Sequence, residues 1–145
     1  MNSYSPQQVI NGTFGECWID DEYMSETTGL EAKVTLNKEE VKQTGTLRKG
    51  YKYTGVEGKG TLKLNKVTSK MMKKISDNIQ QGKTTVAKIQ SNLADPDAVG
   101  GKNEQVVIYD ALFDEVTLAS WEAGKIGEES IPFSFGEWEI IDAIE

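Results

Sequence analysis

The chain has 145 residues, 37 % hydrophobic and 27 % charged, with one cysteine, no histidine and a formal net charge of −7. That length suits one domain able to bury a core. The lack of histidine excludes a Ser-His-Asp or Cys-His nucleophile and argues against an ordinary zinc site, while a lone Cys17 forms no internal disulfide.

Neither a basic start followed by an apolar run nor about 18 consecutive apolar residues occurs, so no signal peptide or membrane span is predicted and cytoplasmic synthesis is expected. In chain order, TFGECWI at 13–19 reads as a first strand, closed by the acidic turn Asp20, Asp21, Glu22. Leu30, Ala32, Val34 and Leu36 alternate with Glu31, Lys33, Thr35 and Asn37, the period of a strand with one buried and one wet face. The same alternation returns at Val56, Gly58, Gly60, Leu62 and Leu64, where two glycines on the inner face imply a bend or a close backbone approach.

Between these strands, 38–54 (KEEVKQTGTLRKGYKYT) reads as an extended loop carrying a basic and aromatic cluster, Arg48, Lys49, Tyr51, Lys52 and Tyr53. A solvated loop or a longer hairpin is the plainer reading. A nucleic-acid grip is disfavoured, since the pI is about 4.7. A helix follows, capped by Thr68 or Ser69, with Met71, Met72, Ile75 and Ile79 at helical spacing and Gly82 as its left-handed end. Further strands are expected at 84–92, 105–109, 111–121 and 130–141, the last with Phe133, Phe135 and Trp138 as core anchors. No repeat or linker divides the chain, so residues 1–145 read as a single domain.

Chemistry-bearing patterns are sparse. Cys17 stands beside Trp18 and Ile19 and reads as a small buried hydrophobe. Gly82, Lys83 and Thr84 imitate the end of a phosphate loop but follow a helix and precede a strand, the reverse of that motif. Asp95, Asp97 and the 20–22 run lack the spacing of a calcium loop, and Glu137 with Glu139 reads as one wet strand face. No catalytic residue, metal or cofactor is implied.

Charge is segregated instead. Residues 1–50 carry 5 Lys+Arg against 8 Asp+Glu, residues 51–103 carry 10 against 4, and residues 104–145 carry 1 against 11. Such a chain either pairs its segments internally or presents complementary surfaces to copies of itself.

In layout the chain resembles the tail tube proteins of contractile bacteriophages and phage-tail-like particles, especially the prophage tubes of Gram-positive bacteria. The resemblance rests on NGTFGECWIDDEYM, LEAKVTLNKEEVKQTG, GYKYTGVEGKGTLKLNKVTSKMM, YDALFDEVTLASWEAG and IPFSFGEWEI, in order along the chain. It implies a mainly β subunit with one helix, a small β-sandwich or partial barrel. Such subunits assemble, six to a ring, into a ring-shaped β-barrel, and rings stack into a hollow inner tube. On that reading Glu31, Lys33, Thr35, Lys59, Thr61 and Lys63 are lumen candidates, with Leu30, Ala32, Val34, Leu36, Leu62 and Leu64 on the core side. The 38–54 loop would reach a neighbouring subunit or ring, its basic residues meeting an acidic surface at Glu128 and Glu129. The implied partners are copies of itself, a sheath protein, a tape-measure protein, and baseplate and tail terminator proteins. DNA would only pass through, if present at all, and no stable membrane insertion is implied. The protein would be made in the bacterial host cytoplasm and reside in a virion or tailocin-like particle. The rival class is a monomeric β-sandwich binding carbohydrate or peptide through Tyr51 and Tyr53.

Overall fold

The alternating segments become strands of one antiparallel sheet in the computed structural model, which describes residues 3–101 and 103–144. In chain order the elements are β1 (Gly15–Ile19), β2 (Glu22–Tyr23), β3 (Thr27–Val41), β4 (Gly50–Asn65), helix α1 (Lys70–Gln80), β5 (Val86–Leu93), β6 (Glu104–Phe113), β7 (Glu128–Phe135) and β8 (Glu137–Asp142), with short 3₁₀ turns at Pro6–Gln8, Gly12–Phe14 and Val99–Gly101.

The strands run in the order β2-β1-β5-β6-β7-β4-β3. β7 and β8 meet at Gly136 and act as one broken strand along β6: Phe133 and Ser134 pair with Phe113 and Leu112, while Glu137 pairs with Tyr109 and Asp142 with Gln105. The sheet curls until β1 lies against the start of β3, giving a partial barrel. Asp20 and Asp21 turn β1 into β2 with φ of 51° and 67°, the left-handed pair that a two-residue hairpin requires.

Inside the curl, Leu62, Phe133, Ile89 and Cys17 are fully buried, joined by Ile19, Leu64, Ile108, Ala111 and Ile131. Burying each large apolar side chain contributes about 1.5–3 kcal/mol before the ordering cost is set against it. The helix closes the flank. Met71 and Ile75 enter the core, Lys70 pairs with Glu22, and Lys74 Nζ lies 2.8 Å from Asp20 Oδ2. The Asn78 side-chain amide donates to Thr85 Oγ1 at 2.9 Å, and Gly82 follows the helix with φ 71°.

Several expectations need correction. Residues 38–41 and 50–54 lie in the paired strands β3 and β4 rather than in an extended loop, because a strand register continues past the bulge at Asn37/Lys38; only 42–49 turns. No strand continues to 121: β6 stops at Phe113, and 114–127 carries no regular structure. Gly136 breaks the expected single strand at 130–141. Ala32 and Leu36 are exposed instead of packed on the core; Leu36 pairs with Val56, beyond the Gly58–Asn65 stretch of β4 that β7 supports, and Ala32 lies on the edge strand β3. Ile79 and Trp138 are also exposed, although the Trp138 ring meets Phe135 edge-on at 6.1 Å. Ser69 is the N-cap residue but makes no side-chain cap bond.

Candidate assembly surfaces

The β3/β4 hairpin outruns the sheet that supports it. β7 pairs with β4 only from Gly58 to Asn65, so residues 50–57 have β3 as their one described neighbour, and β3 pairs on one side only along its length. A two-stranded ribbon results, with Leu36, Val41, Tyr51, Tyr53 and Val56 exposed on its surfaces. Unpaired edges and uncovered apolar side chains on an isolated ribbon are costly in water and invite another chain. β8 offers a comparable feature, all six residues being exposed, Ile140 and Ile141 among them.

Register decides which hairpin residues share a face. Glu31 stands opposite Thr61, Lys33 opposite Lys59, Thr35 opposite Glu57 and Gly29 opposite Lys63, so all six residues expected to line a lumen fall on one face. Ser130, Pro132 and Ser134 of β7 extend that face. Its charges are mixed, with Lys33 Nζ 3.1 Å from Glu31 Oε1. The other face carries Gly58 and Gly60, where a methyl group at Gly58 would come within 2.5 Å of Phe135 and one at Gly60 would strike the Phe133 ring and the Glu31 carbonyl. Close approach, the second of the two expected reasons for these glycines, is the one the structure shows.

The basic and aromatic cluster is divided. Arg48 and Lys49 sit exposed in the hairpin turn. Tyr53 pairs with Lys38 and Tyr51 with Glu40 on one face, and Lys52 pairs with Glu39 on the opposite one. Lys38 Nζ lies 4.9 Å from the centre of the Tyr51 ring, a cation–π contact. Of the two acidic residues expected to receive this cluster, Glu128 is exposed. Glu129 is buried, with its carboxylate 3.6 Å from Lys66 Nζ, and so faces its own chain.

A further surface was hidden in the sequence. Within 114–127, Leu118 is 65 % exposed, Trp121 89 % and Ile126 85 %. Val116 and Leu118 imitate strand alternation there, whereas Gly124 with φ 82° and the Lys125–Glu122 ion pair at 3.1 Å mark a turn. An open hollow of about 620 Å³ lies between this segment and the start of α1.

Electrostatics elsewhere serve the frame. Burial pushes the Cys17 thiol up to about 11, against a weaker opposing hydrogen bond with Thr27. Desolvation works against the Asp20 carboxylate, but Lys74 and the Lys88 amide outweigh it and hold its pKa below the ordinary value. The Tyr109 hydroxyl donates to Glu139 at 2.9 Å, which raises the tyrosine pKa. Asp95, buried, accepts from the amides of Asn11 and Asp97 at 2.8 and 2.9 Å and ties the N-terminal segment down, the work of a turn residue. Among the described residues no cluster of His, Cys, Asp and Glu could hold a metal ion. No described helix is long and apolar enough to cross a membrane.

Comparison with known proteins agrees with this geometry. The phage-like element PBSX protein XkdM of Bacillus subtilis (strain 168) is 34 % identical over 135 residues, covering 92 % of this chain and 91 % of the relative. Among solved structures, the tube-terminating cap of the anti-feeding prophage superposes with a TM-score of 0.74 at 16 % identity, covering 98 % of this chain and 97 % of the other. The sheath-tube complex of an extracellular contractile injection system, PVC, in its extended state contains a chain with a TM-score of 0.73 at 13 % identity, covering 97 % and 100 %. These two likenesses share the fold. The profile of phage tail tube proteins, a structural and not an enzymatic family, matches residues 2–142, and the chain belongs to that family.

Proposed function

We propose that six copies of the chain close into a ring and that rings stack as the hollow inner tube of a contractile tail or tail-like particle. The tube serves as a passive conduit or needle for delivery across a bacterial envelope. The observation that carries this reading is the β3/β4 ribbon, which among the described residues is left unpaired at its edges and exposed on both faces. Ring closure gives each unpaired edge a partner and removes the aggregation hazard of an open sheet. The face bearing Glu31, Lys33, Thr35, Lys59, Thr61 and Lys63 then lines the bore.

Partners of such a tube are a surrounding sheath, a tape-measure protein within, and baseplate and terminator proteins at its ends, in a virion or tail-like particle. Light scattering over a range of concentrations tests the reading. A species of six times the 16.0 kDa chain mass, and larger multiples of it, is expected. A monomer at every concentration contradicts it.

A further inference from the structure

Asn11 is the one asparagine followed by glycine, and it lies in an exposed turn. An asparagine amide is labile when the next backbone nitrogen can reach its side-chain carbon, and glycine offers that nitrogen with no side chain in the way. The surroundings add no obstruction, since a methyl group at Gly12 would meet nothing within 4 Å.

The folded turn holds the two groups apart. With ψ at 119°, Asn11 directs the Gly12 nitrogen away from its own side chain. The Asn11 side-chain oxygen accepts from the Thr13 amide at 3.0 Å, and its carbonyl accepts from the Phe14 amide at 3.1 Å. The Asn11 amide itself donates to Oδ2 of the buried Asp95 at 2.8 Å. Among the described residues, that bond and a longer one from the Ala94 amide to the Phe14 carbonyl, 3.4 Å, are the hydrogen bonds that join 3–14 to the rest of the chain. A segment tied so sparsely opens locally far more often than the core unfolds.

We propose that Asn11 is a site of spontaneous deamidation, gated by this turn, and that its product loosens the N-terminal segment. When the turn opens, the Gly12 nitrogen loses its proton to solvent base and bonds to Asn11 Cγ. The Cγ–Nδ2 bond breaks, and ammonia leaves with a proton taken from water. A second water then opens the cyclic imide. Attack at Cγ leaves aspartate, whereas attack at the α-carbonyl leaves isoaspartate, whose backbone runs on through the former side chain with one more methylene. That longer path displaces the acceptors of the Thr13 and Phe14 amides, and either product adds a negative charge to the residue that the Asp95 carboxylate holds. The site is independent of the tube reading.

Peptide mapping by mass spectrometry after ageing at mildly alkaline pH tests the proposal, with isoaspartate detected by enzymatic methylation. The native chain should convert at Asn11 measurably, but about tenfold or more slowly than the same chain unfolded in urea. Gly12→Ala, which the fold has room for, should lose the conversion. Converted chain, separated by its added charge, should exchange amide hydrogens faster in 11–14 than unconverted chain, with 58–64 unchanged. Equal rates in the native and unfolded chains, or no conversion in the native chain while the unfolded chain converts, would overturn the gated site. Unaltered exchange at 11–14 in the converted chain would overturn the loosening.

Discussion

Gly58 and Gly60 stand where a methyl group has no room, because Phe135 and Phe133 cross over β4 from β7. Gly60→Ala must push a fully buried phenylalanine or the Glu31 carbonyl aside, so it should destabilise the subunit by about 1–3 kcal/mol. Urea unfolding should show a lower midpoint with an unchanged slope. Gly136→Ala, with nothing within 4 Å of the added carbon, is the contrasting control. Cys17 supplies a second test. With its folded pKa raised from 9.0 to about 11 by burial, the thiol should resist labelling at neutral pH until the protein unfolds. The sign of the linkage follows: the stability drawn from keeping Cys17 protonated is full below pH 9.0 and is lost as pH rises toward 11. Asp20 acts at the other end of the scale. Its depressed pKa contributes stability above 3.8 that is lost as pH falls through the folded value.

At the scale of the element, the hairpin divides into a supported base and an unsupported ribbon. Hydrogen exchange on the isolated subunit should be slowest in 58–64, held between β3 and β7, and fast in 50–57 and 38–41, with protection appearing there on assembly. Strong protection of the ribbon in a proven monomer would contradict an edge that waits for a partner. The alternation in β3 and β4 was legible because half-buried strands write it into the sequence, and the grouping of Glu31, Lys33, Thr35, Lys59, Thr61 and Lys63 on one face followed from it. What lay beyond 37 was not. There both faces are wet, so apolar and polar residues lose their alternating order and KEEVKQTG resembles a loop. The converse error arose at 114–121, where Val116 and Leu118 keep a strand-like spacing without strand partners. The burial of Glu129 goes with its place in β7 opposite the buried Leu64 of β4, a pairing that spacing along the chain does not encode.

For the whole molecule, the segregated charge serves two ends. Lys70, Lys74 and Lys88 pair with Glu22, Asp20 and Asp21, and Lys66 pairs with Glu129, so part of the central basic segment is matched internally. Arg48 and Lys49 project from the far end of the hairpin, exposed to solvent. Reversing both, Arg48→Glu with Lys49→Glu, should shorten or abolish tubes while thermal unfolding of the subunit stays within about 0.5 kcal/mol of native, as for other exposed substitutions. Raising salt toward 1 M, where screening acts over about 3 Å, should mimic the effect in part. The central claim is that the exposed ribbon exists to be paired by copies of the same chain. Negative-stain electron microscopy of the purified protein across concentration tests it most directly: rings with a central hole, or hollow tubes of constant width, are the predicted result. Dispersed single subunits at every concentration, even after seeding with preformed tube ends, would contradict it.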